Sequence, residues 1–402
     1  MCAPRLIILA EFVDSVQNST GYYWSKIIAG LAEEFGEIWV ICPSSSYVKI
    51  AKPLTGVRYF PFKDLAVNRK RIFSRGLGQF IRAWHFFCAL ISKVKHGDVV
   101  FCGTNPAILL VLIALLKRFV GFRWLLLVHD VFPENMVPAK LIGSNSIPLS
   151  ILQAIFGRAY SSADTLIAIG RDMVELLERK IANRRPVVYI PNWVDPDDIS
   201  PLSRDLNPLF GGRNWSTKCV FQFFGTIGRV QGLSNVLAAL PLVRSDKAAF
   251  AFIGSGAQEH LVEAFLKQHP NLNIARAPGL PFSQSSVGLS ACDVAVVSLA
   301  KGMIGLAVPS KAYFSLAADR PLLVISDEGS ELHRLLQEET SLGWFCQCDD
   351  PPALARLIDM ICETNLIDLR GRSRGVLCAR FPFGKAIEVY SACIRELAIR
   401  QS

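Results

Sequence analysis

Short apolar runs alternate with stretches of helical periodicity along nearly the whole chain, in two successive series. In the first, residues 6–10, 38–42, 99–102, 124–128, 165–169 and 187–190 read as strands, while residues 24–35, 147–160 and 171–179 repeat apolar positions at helical spacing. The second has strands at 219–224, 249–253, 272–275, 294–298 and 322–325, with helical patterns at 233–240 and 312–318. The runs are continuously apolar rather than alternating, so each strand is buried on both faces. That predicts mostly parallel sheets covered by helices on both sides. A breaker-rich stretch from Pro191 through Pro196, Pro201 and Pro208 to Gly212 separates the series. The expectation is an α/β chain of two doubly wound domains: 1–195, a connection at 196–216, then 217–383. A terminal helix within 384–402 either caps the second domain or crosses back to the first.

Each series opens with a buried strand, a loop, a helix and a second strand. In the first half the loop is 11–22. In the second it is Gly225-Thr-Ile-Gly-Arg-Val-Gln-Gly232, and the following strand ends in Gly254-Ser-Gly256. Such units bind phosphate on backbone amides at the helix start, and in doubly wound sheets ligands lie beyond the carboxyl ends of the strands. Two of them suggest domains facing each other across a cleft, which suits a phosphorylated donor. The spacing is not the Gly-x-Gly-x-x-Gly dinucleotide pattern, and glycines at strand ends are also ordinary turn residues.

Hydrophobic residues make up 51% and charged residues 19% of the 402, enough apolar material for two cores. Eleven cysteines are scattered, apart from Cys346-Gln-Cys348, with no Cys-x-x-Cys pair, which reads as reduced thiols in a cytoplasmic protein. No apolar signal core precedes the first strand. The apolar stretch 107–116 stops at Lys117-Arg118; it is too short to cross a bilayer and reads as a buried helix.

The net charge is +9, and part of the excess is local: residues 63–96 hold eight Lys and Arg against one acid, Asp64. Phe73, Leu77, Phe80, Ile81, Trp84, Phe87, Ile91 and Val94 recur there at helical spacing. This is either a core-packed helix with solvated bases, or a basic aromatic surface that rests on anionic headgroups at the inner face of the membrane. Without a recognised nucleic-acid motif, no nucleic-acid partner is expected.

Two clusters carry candidate chemistry. Pro309-Ser310-Lys311 opens the helical pattern at 312–318, and a lysine in a first helical turn runs against the macrodipole unless an anion sits there. A solvated surface lysine is the alternative. His129-Asp130-Val-Phe-Pro-Glu134 follows a strand, placing an imidazole and two carboxylates at its end. A satisfied histidine and an Asp capping the next turn would give the same pattern. No acidic pair has a metal-binding spacing, so no metal is expected.

Together these elements resemble the retaining glycosyltransferases of the GT-B fold in the glycogen-synthase-like superfamily, of the glycosyltransferase family 4-like branch that builds bacterial capsule, O-antigen and exopolysaccharide. The resemblance rests on Asp130-Val-Phe-Pro-Glu134, Ile190-Pro-Asn-Trp-Val-Asp195, Gly225 to Gly232 and Val308-Pro-Ser-Lys311, in order along nearly the whole chain. It implies transfer of a sugar, with retention and without metal or cofactor, from a UDP- or GDP-linked nucleotide sugar to a lipid-linked or other glycan acceptor. By position it assigns Thr20 and Gly21 to the acceptor side, and His129, with Asp130 and Glu134, to the transferring sugar. Gly225, Thr226, Gly228, Arg229, Gln231, Gly232, Gly254, Gly256, Ser310 and Lys311 fall to the donor phosphates, and Gly279, Leu280 and Pro281 to the base. Lys301 and Gly302 stand where many relatives begin a Glu–seven residues–Glu signature; Lys301 takes the first glutamate's place and Phe314 that of the ribose-binding second. Gln231 replaces the usual lysine of the phosphate loop, and Asp319 a frequent glycine. A nicotinamide-dependent oxidoreductase and a catalytically silent glycan-binding partner are the competing readings.

Overall fold

The computed structural model describes residues 5–14, 18–50, 53–64, 72–204, 209, 213 and 215–399, without the side chains of 72–75. Arg69, Lys70 and Arg71 of the basic stretch, and Pro208, Gly211 and Gly212 of the expected connection, lie outside the described residues. The chain divides into two compact units. One comprises Met1–Glu134, Gly143–Pro191 and Gly384–Ser402; the other comprises Asn135–Ile142 and Asn192–Phe383. The division therefore falls at Pro191 rather than 195, and the short piece Asn135–Ile142 joins the second unit.

The first unit is built on a seven-stranded parallel sheet. Its strands are β1 (Leu6–Leu9), β2 (Ile38–Pro43), β3 (Val57–Phe62), β4 (Val99–Gly103), β5 (Arg123–Val128), β6 (Thr165–Ala168) and β7 (Val187–Tyr189), in the order β3-β2-β1-β4-β5-β6-β7. Ile8 of β1 lies in register with Val40 and Phe101, and all four β1 residues are buried. The order reverses between β1 and β4, where doubly wound sheets open their ligand crevice.

The helix Ser19–Glu34 begins inside the stretch 11–22 that reads as a loop. Asn18 Oδ1 accepts the Gly21 N–H at 2.8 Å and caps it. On the same unit the terminal helix Phe383–Ile399 packs Ile387 against Gly30, where a Cβ would stand 2.8 Å from Ile387 Cγ1. Its Arg395 Nη2 pairs with Glu34 Oε2 at 2.6 Å.

Helices Ile72–Ile91, Ala107–Val120 and Ile147–Ser162 follow β3, β4 and β5 and lie side by side. Right-handed crossovers put them on the sheet face opposite Ser19–Glu34. Ala107–Val120 is not the fully buried helix its composition suggests. It buries Leu109, Leu110, Ile113 and Leu116 but leaves Leu115 and Phe119 in solvent.

The second unit repeats the plan with β8 (Cys219–Phe224), β9 (Ala248–Ile253), β10 (Ile274–Ala277), β11 (Val294–Ser298), β12 (Leu322–Ser326) and β13 (Gly343–Gln347), all parallel, in the order β10-β9-β8-β11-β12-β13. Phe221 stacks on Phe250 and Phe223 on Phe252 across the β8–β9 pair. The run at 272–275 enters the sheet two residues late, because pairing sets Ile274 beside Phe250 while Leu272 packs into the core. β3 and β13, absent from the sequence reading, are both edge strands and only partly buried, so neither shows a continuous apolar run.

Candidate active site

The carboxyl edge of the second sheet is assembled from backbone. Gly225 N donates to Ile253 O at 2.8 Å, Ile227 N to Ser255 O at 3.0 Å, and Ala300 N to Val230 O at 2.9 Å. These bonds join the loops after β8, β9 and β11. Three glycines permit the approach: a Cβ on Gly254 would fall on the Gly225 carbonyl oxygen, and one on Gly256 on that of Ile227. One on Gly232 would come within 2.6 Å of Leu299 O. Fully buried Ile227 pins the middle of the loop in the core. Gly225 and Gly302 need only their left-handed φ, at 101° and 83°, and face open space. Gly279 leans on Ser255, and Thr226, Arg229, Pro281 and Lys301 are exposed beside half-buried Gly228 and Leu280.

Lys311 opens the helix Lys311–Ala317, directly after Ser310. Its stem is half-buried, and its Nζ, 3.7 Å from the centre of the Phe223 ring, is buried without a hydrogen-bond partner among the described residues. Desolvation pulls its pKa down to about 7. Gln231 Oε1 and both polar side-chain atoms of Asn235 are likewise buried and unpartnered among the described residues. Unmade hydrogen bonds of this kind are expensive unless a ligand completes them.

Asn235, on the helix Leu233–Ala239 after the glycine loop, is not legible from sequence, because a single polar residue in a helical pattern carries no signal. Asn192 lies within the motif Ile190–Asp195; its Nδ2 donates to Val308 O at 3.3 Å, tying that motif to the turn before Lys311. Arg374 bonds to the carbonyls of Pro196, Ile199 and Ala317, anchoring the same region. Asp319 adopts the left-handed φ of 56° that a glycine would favour, and its carboxylate accepts the N–H groups of Gly371 and Arg374. Phe314 packs edge-on against Phe282. The separation of Lys301 from Phe314 is wider than seven residues, so the two cannot both be counterparts of one Glu–seven residues–Glu signature.

In the first unit, His129 and Asp130 directly follow β5, both half-buried. Desolvation holds the imidazole down to about 4 and pushes the carboxyl up to about 6. At neutral pH this is an uncharged imidazole beside a carboxylate that gives up its proton late. Asp130 N donates to Thr104 Oγ1 at 3.4 Å, and Gly103 leaves room for both the His129 ring and Trp24. Glu134 Oε1 accepts from Lys180 Nζ at 2.6 Å, and its other oxygen is buried without a hydrogen-bond partner among the described residues. Thr20 lies in the first turn of Ser19–Glu34. Gly21 beside it is buried where a Cβ would strike the Asp14 carbonyl. Arg82 pairs with Glu11 and, at 3.2 Å, with Asp64, so this member of the basic stretch is committed to the interior.

Residues 21–198 match the family described as Glycosyltransferase Family 4. The chain is 44% identical over 393 residues to "Probable glycosyltransferase WbjE" of Pseudomonas aeruginosa, covering 98% of each. The chain belongs to the GT-B glycosyltransferases. It is also 24% identical over 263 residues, 63% of its length and 62% of the other's, to "Putative colanic acid biosynthesis glycosyl transferase WcaI" of Escherichia coli K12. The crystal structure of HepE of Anabaena in complex with UDP and glucose superposes with a TM-score of 0.72 at 12% identity, covering 98% of this chain and 100% of that one. That likeness is one of fold. Family membership removes the oxidoreductase reading of the paired units.

Proposed function

We propose that this glycosyltransferase takes a sugar from a UDP- or GDP-linked donor, with retention and without a metal, and passes it to a lipid-linked glycan in bacterial surface-polysaccharide synthesis. The observation that carries the donor reading is the buried Lys311 ammonium, without a hydrogen-bond partner among the described residues, beside the backbone-built edge of the second unit. An anion there would offset the desolvation of the ammonium, and a nucleoside diphosphate supplies one of the right kind. The colanic-acid relative and the UDP complex of the HepE fold neighbour favour a nucleotide sugar and a surface glycan.

In this reading the C–O bond from the anomeric carbon to the diphosphate breaks while one from the acceptor hydroxyl oxygen forms. Negative charge accumulates on the departing phosphate. The amides of the Gly225–Gly232 loop, the helix start at Ser310 and the Lys311 ammonium meet that charge. The uncharged His129 imidazole hydrogen-bonds the sugar without repelling a cationic anomeric centre, and Asp130 stabilises that centre or takes the acceptor proton. Thr20 and Gly21 border the acceptor. The silent-partner reading draws on Phe314, which packs on Phe282 where a carboxylate would hold a ribose. Incubating the protein with bacterial membranes and radiolabelled UDP- and GDP-sugars separates the two. Transfer of label to the lipid fraction is expected; donor binding without any transfer would establish the silent partner.

A further inference from the structure

Three neighbouring helices of the first unit, Ile72–Ile91, Ala107–Val120 and Ile147–Ser162, are apolar on the side away from their own sheet as well as on the side that packs against it. Ile72–Ile91 buries Ala83, Phe86 and Leu90, yet leaves Leu77, Phe80, Trp84 and Ile91 exposed at spacings of three, four and seven residues. Ala107–Val120 turns out Leu115 and Phe119, the latter 83% exposed. Ile147–Ser162 turns out Ile147 (77%), Ile151 and Ile155. Each outer stripe is what a helix shows when a second partner covers it, and adjacent stripes make a broad apolar patch of the sort that marks an interaction surface.

Charge decides the partner. None of the three helices contains an Asp or Glu, whereas Arg118 and Arg158 are exposed among the apolar side chains. The unit's remaining long helices do carry acids: Glu33 and Glu34 on Ser19–Glu34, Asp172, Glu175 and Glu178 on Arg171–Lys180, and Glu388 and Glu396 on Phe383–Ile399. Acid-free helices with exposed leucine, isoleucine, phenylalanine and tryptophan between arginines complement an anionic lipid interface. No helix among the described residues is long and apolar enough to cross a membrane, so this face would lie on the bilayer rather than in it.

We propose that the outer faces of these three helices form a docking surface for anionic phospholipid bilayers. The proposal deepens the reading of a lipid-linked acceptor. It also moves membrane contact from the basic run at 63–96 alone, where Arg82 is engaged in ion pairs, to a surface that includes two further helices.

The test is co-sedimentation of the full chain with phosphatidylcholine vesicles, with and without phosphatidylglycerol, at low and high salt. It compares the wild type with Phe119→Ser/Ile151→Ser and Arg118→Glu/Arg158→Glu. The wild type should bind phosphatidylglycerol vesicles and let go as salt rises. Each double variant should bind roughly tenfold more weakly or worse, because it withdraws two interfacial contacts. Its thermal midpoint and UDP affinity should stay unchanged, since all four side chains are exposed and lie outside the nucleotide loops. Equal vesicle binding by wild type and variants would overturn the proposal. So would a vesicle-free dimer that Phe119→Ser/Ile151→Ser dissolves, which would give the face to a second copy of the chain. Vesicle binding is read without any donor, so failure here is distinguishable from failure of the transfer reaction.

Discussion

The two sheets share strand order around their central strand, yet their carboxyl edges are made of different material. In the second unit the edge is backbone against backbone, closed by Gly232, Gly254 and Gly256, and its buried Lys311 Nζ has no hydrogen-bond partner among the described residues. In the first unit the edge is side chain against side chain. Arg82 is neutralised by Glu11 and Asp64, Glu134 by Lys180, and desolvation discourages charge on His129 and Asp130. A glycine-built edge brings amides close to a bound anion and leaves one ammonium waiting for it. An edge built from paired or uncharged side chains adds little net charge near a developing cation. In the proposed reaction the first kind of edge suits the leaving group and the second suits the sugar.

The sharpest break in the comparison is Gly254→Val. It combines a φ of 147° with a Cβ placed on the Gly225 carbonyl, so the loops after β8 and β9 must part. Nucleotide binding should vanish in a titration and the thermal midpoint should fall. In the first unit Gly36→Ala, where a Cβ meets nothing within 4 Å, should change neither.

Next in size is Lys311→Ala. Removing a preorganised charge on the leaving group costs about 3 kcal/mol, roughly a hundredfold or more in turnover. Stability without ligand should hold or rise, because an uncompensated buried ammonium is lost. Near-normal turnover with the true donor would show that the diphosphate lies elsewhere.

Asp130→Asn probes the other edge. Turnover should drop about a hundredfold, in the range for a displaced acid–base group, with nucleotide affinity unchanged because the glycine loops proposed to hold the nucleotide belong to the second unit. Single-turnover kinetics alongside a UDP titration separate the two quantities. Parallel losses in both would assign Asp130 to folding.

The pH dependence contributed by Lys311 and by Asp130 should run in opposite senses, with His129, lowered from 6.5 to about 4, offsetting Asp130 on the first edge. Lys311 falls from 10.5 to about 7 on folding, so the unfolded chain holds the extra proton between those values and ligand-free stability rises with pH across that window. Asp130 rises from 3.8 to about 6, so its contribution to stability declines as pH climbs from about 4 to 6. A bound diphosphate keeps the proton on Lys311. UDP affinity should therefore weaken by up to about tenfold per pH unit above 7, with proton uptake visible by calorimetry in buffers of different ionisation enthalpy. Lys311→Met should abolish both the uptake and the slope.

The smallest effect belongs to Gly302→Ala. Its φ of 83° strains an alanine, but open space surrounds it. A loss of about 1 kcal/mol is expected, read as a fall of a few degrees in thermal midpoint with binding retained.

The sequence by itself determined the architecture. Strands buried on both faces, such as β1, β8 and β11, must be continuously apolar, and helices between them must be amphipathic, so the two doubly wound units were legible from periodicity alone. It also located the glycine loop and Lys311, because glycine in a strand-to-helix turn and a cation at a helix start are local signals. The edge strands β3 and β13 escaped because half-exposed strands lose the apolar run. The early start of Ser19–Glu34 escaped because Gly21 reads as a loop residue until the Asp14 carbonyl is packed against it. Tertiary structure alone decided which polar groups go unsatisfied. Nothing in the order of residues says that Lys311 and Asn235 lack hydrogen-bond partners among the described residues, that Arg82 is consumed by Glu11 and Asp64, or that three acid-free helices lie side by side with their outer faces bare. Those properties depend on distances between segments far apart in the chain, which only folding sets.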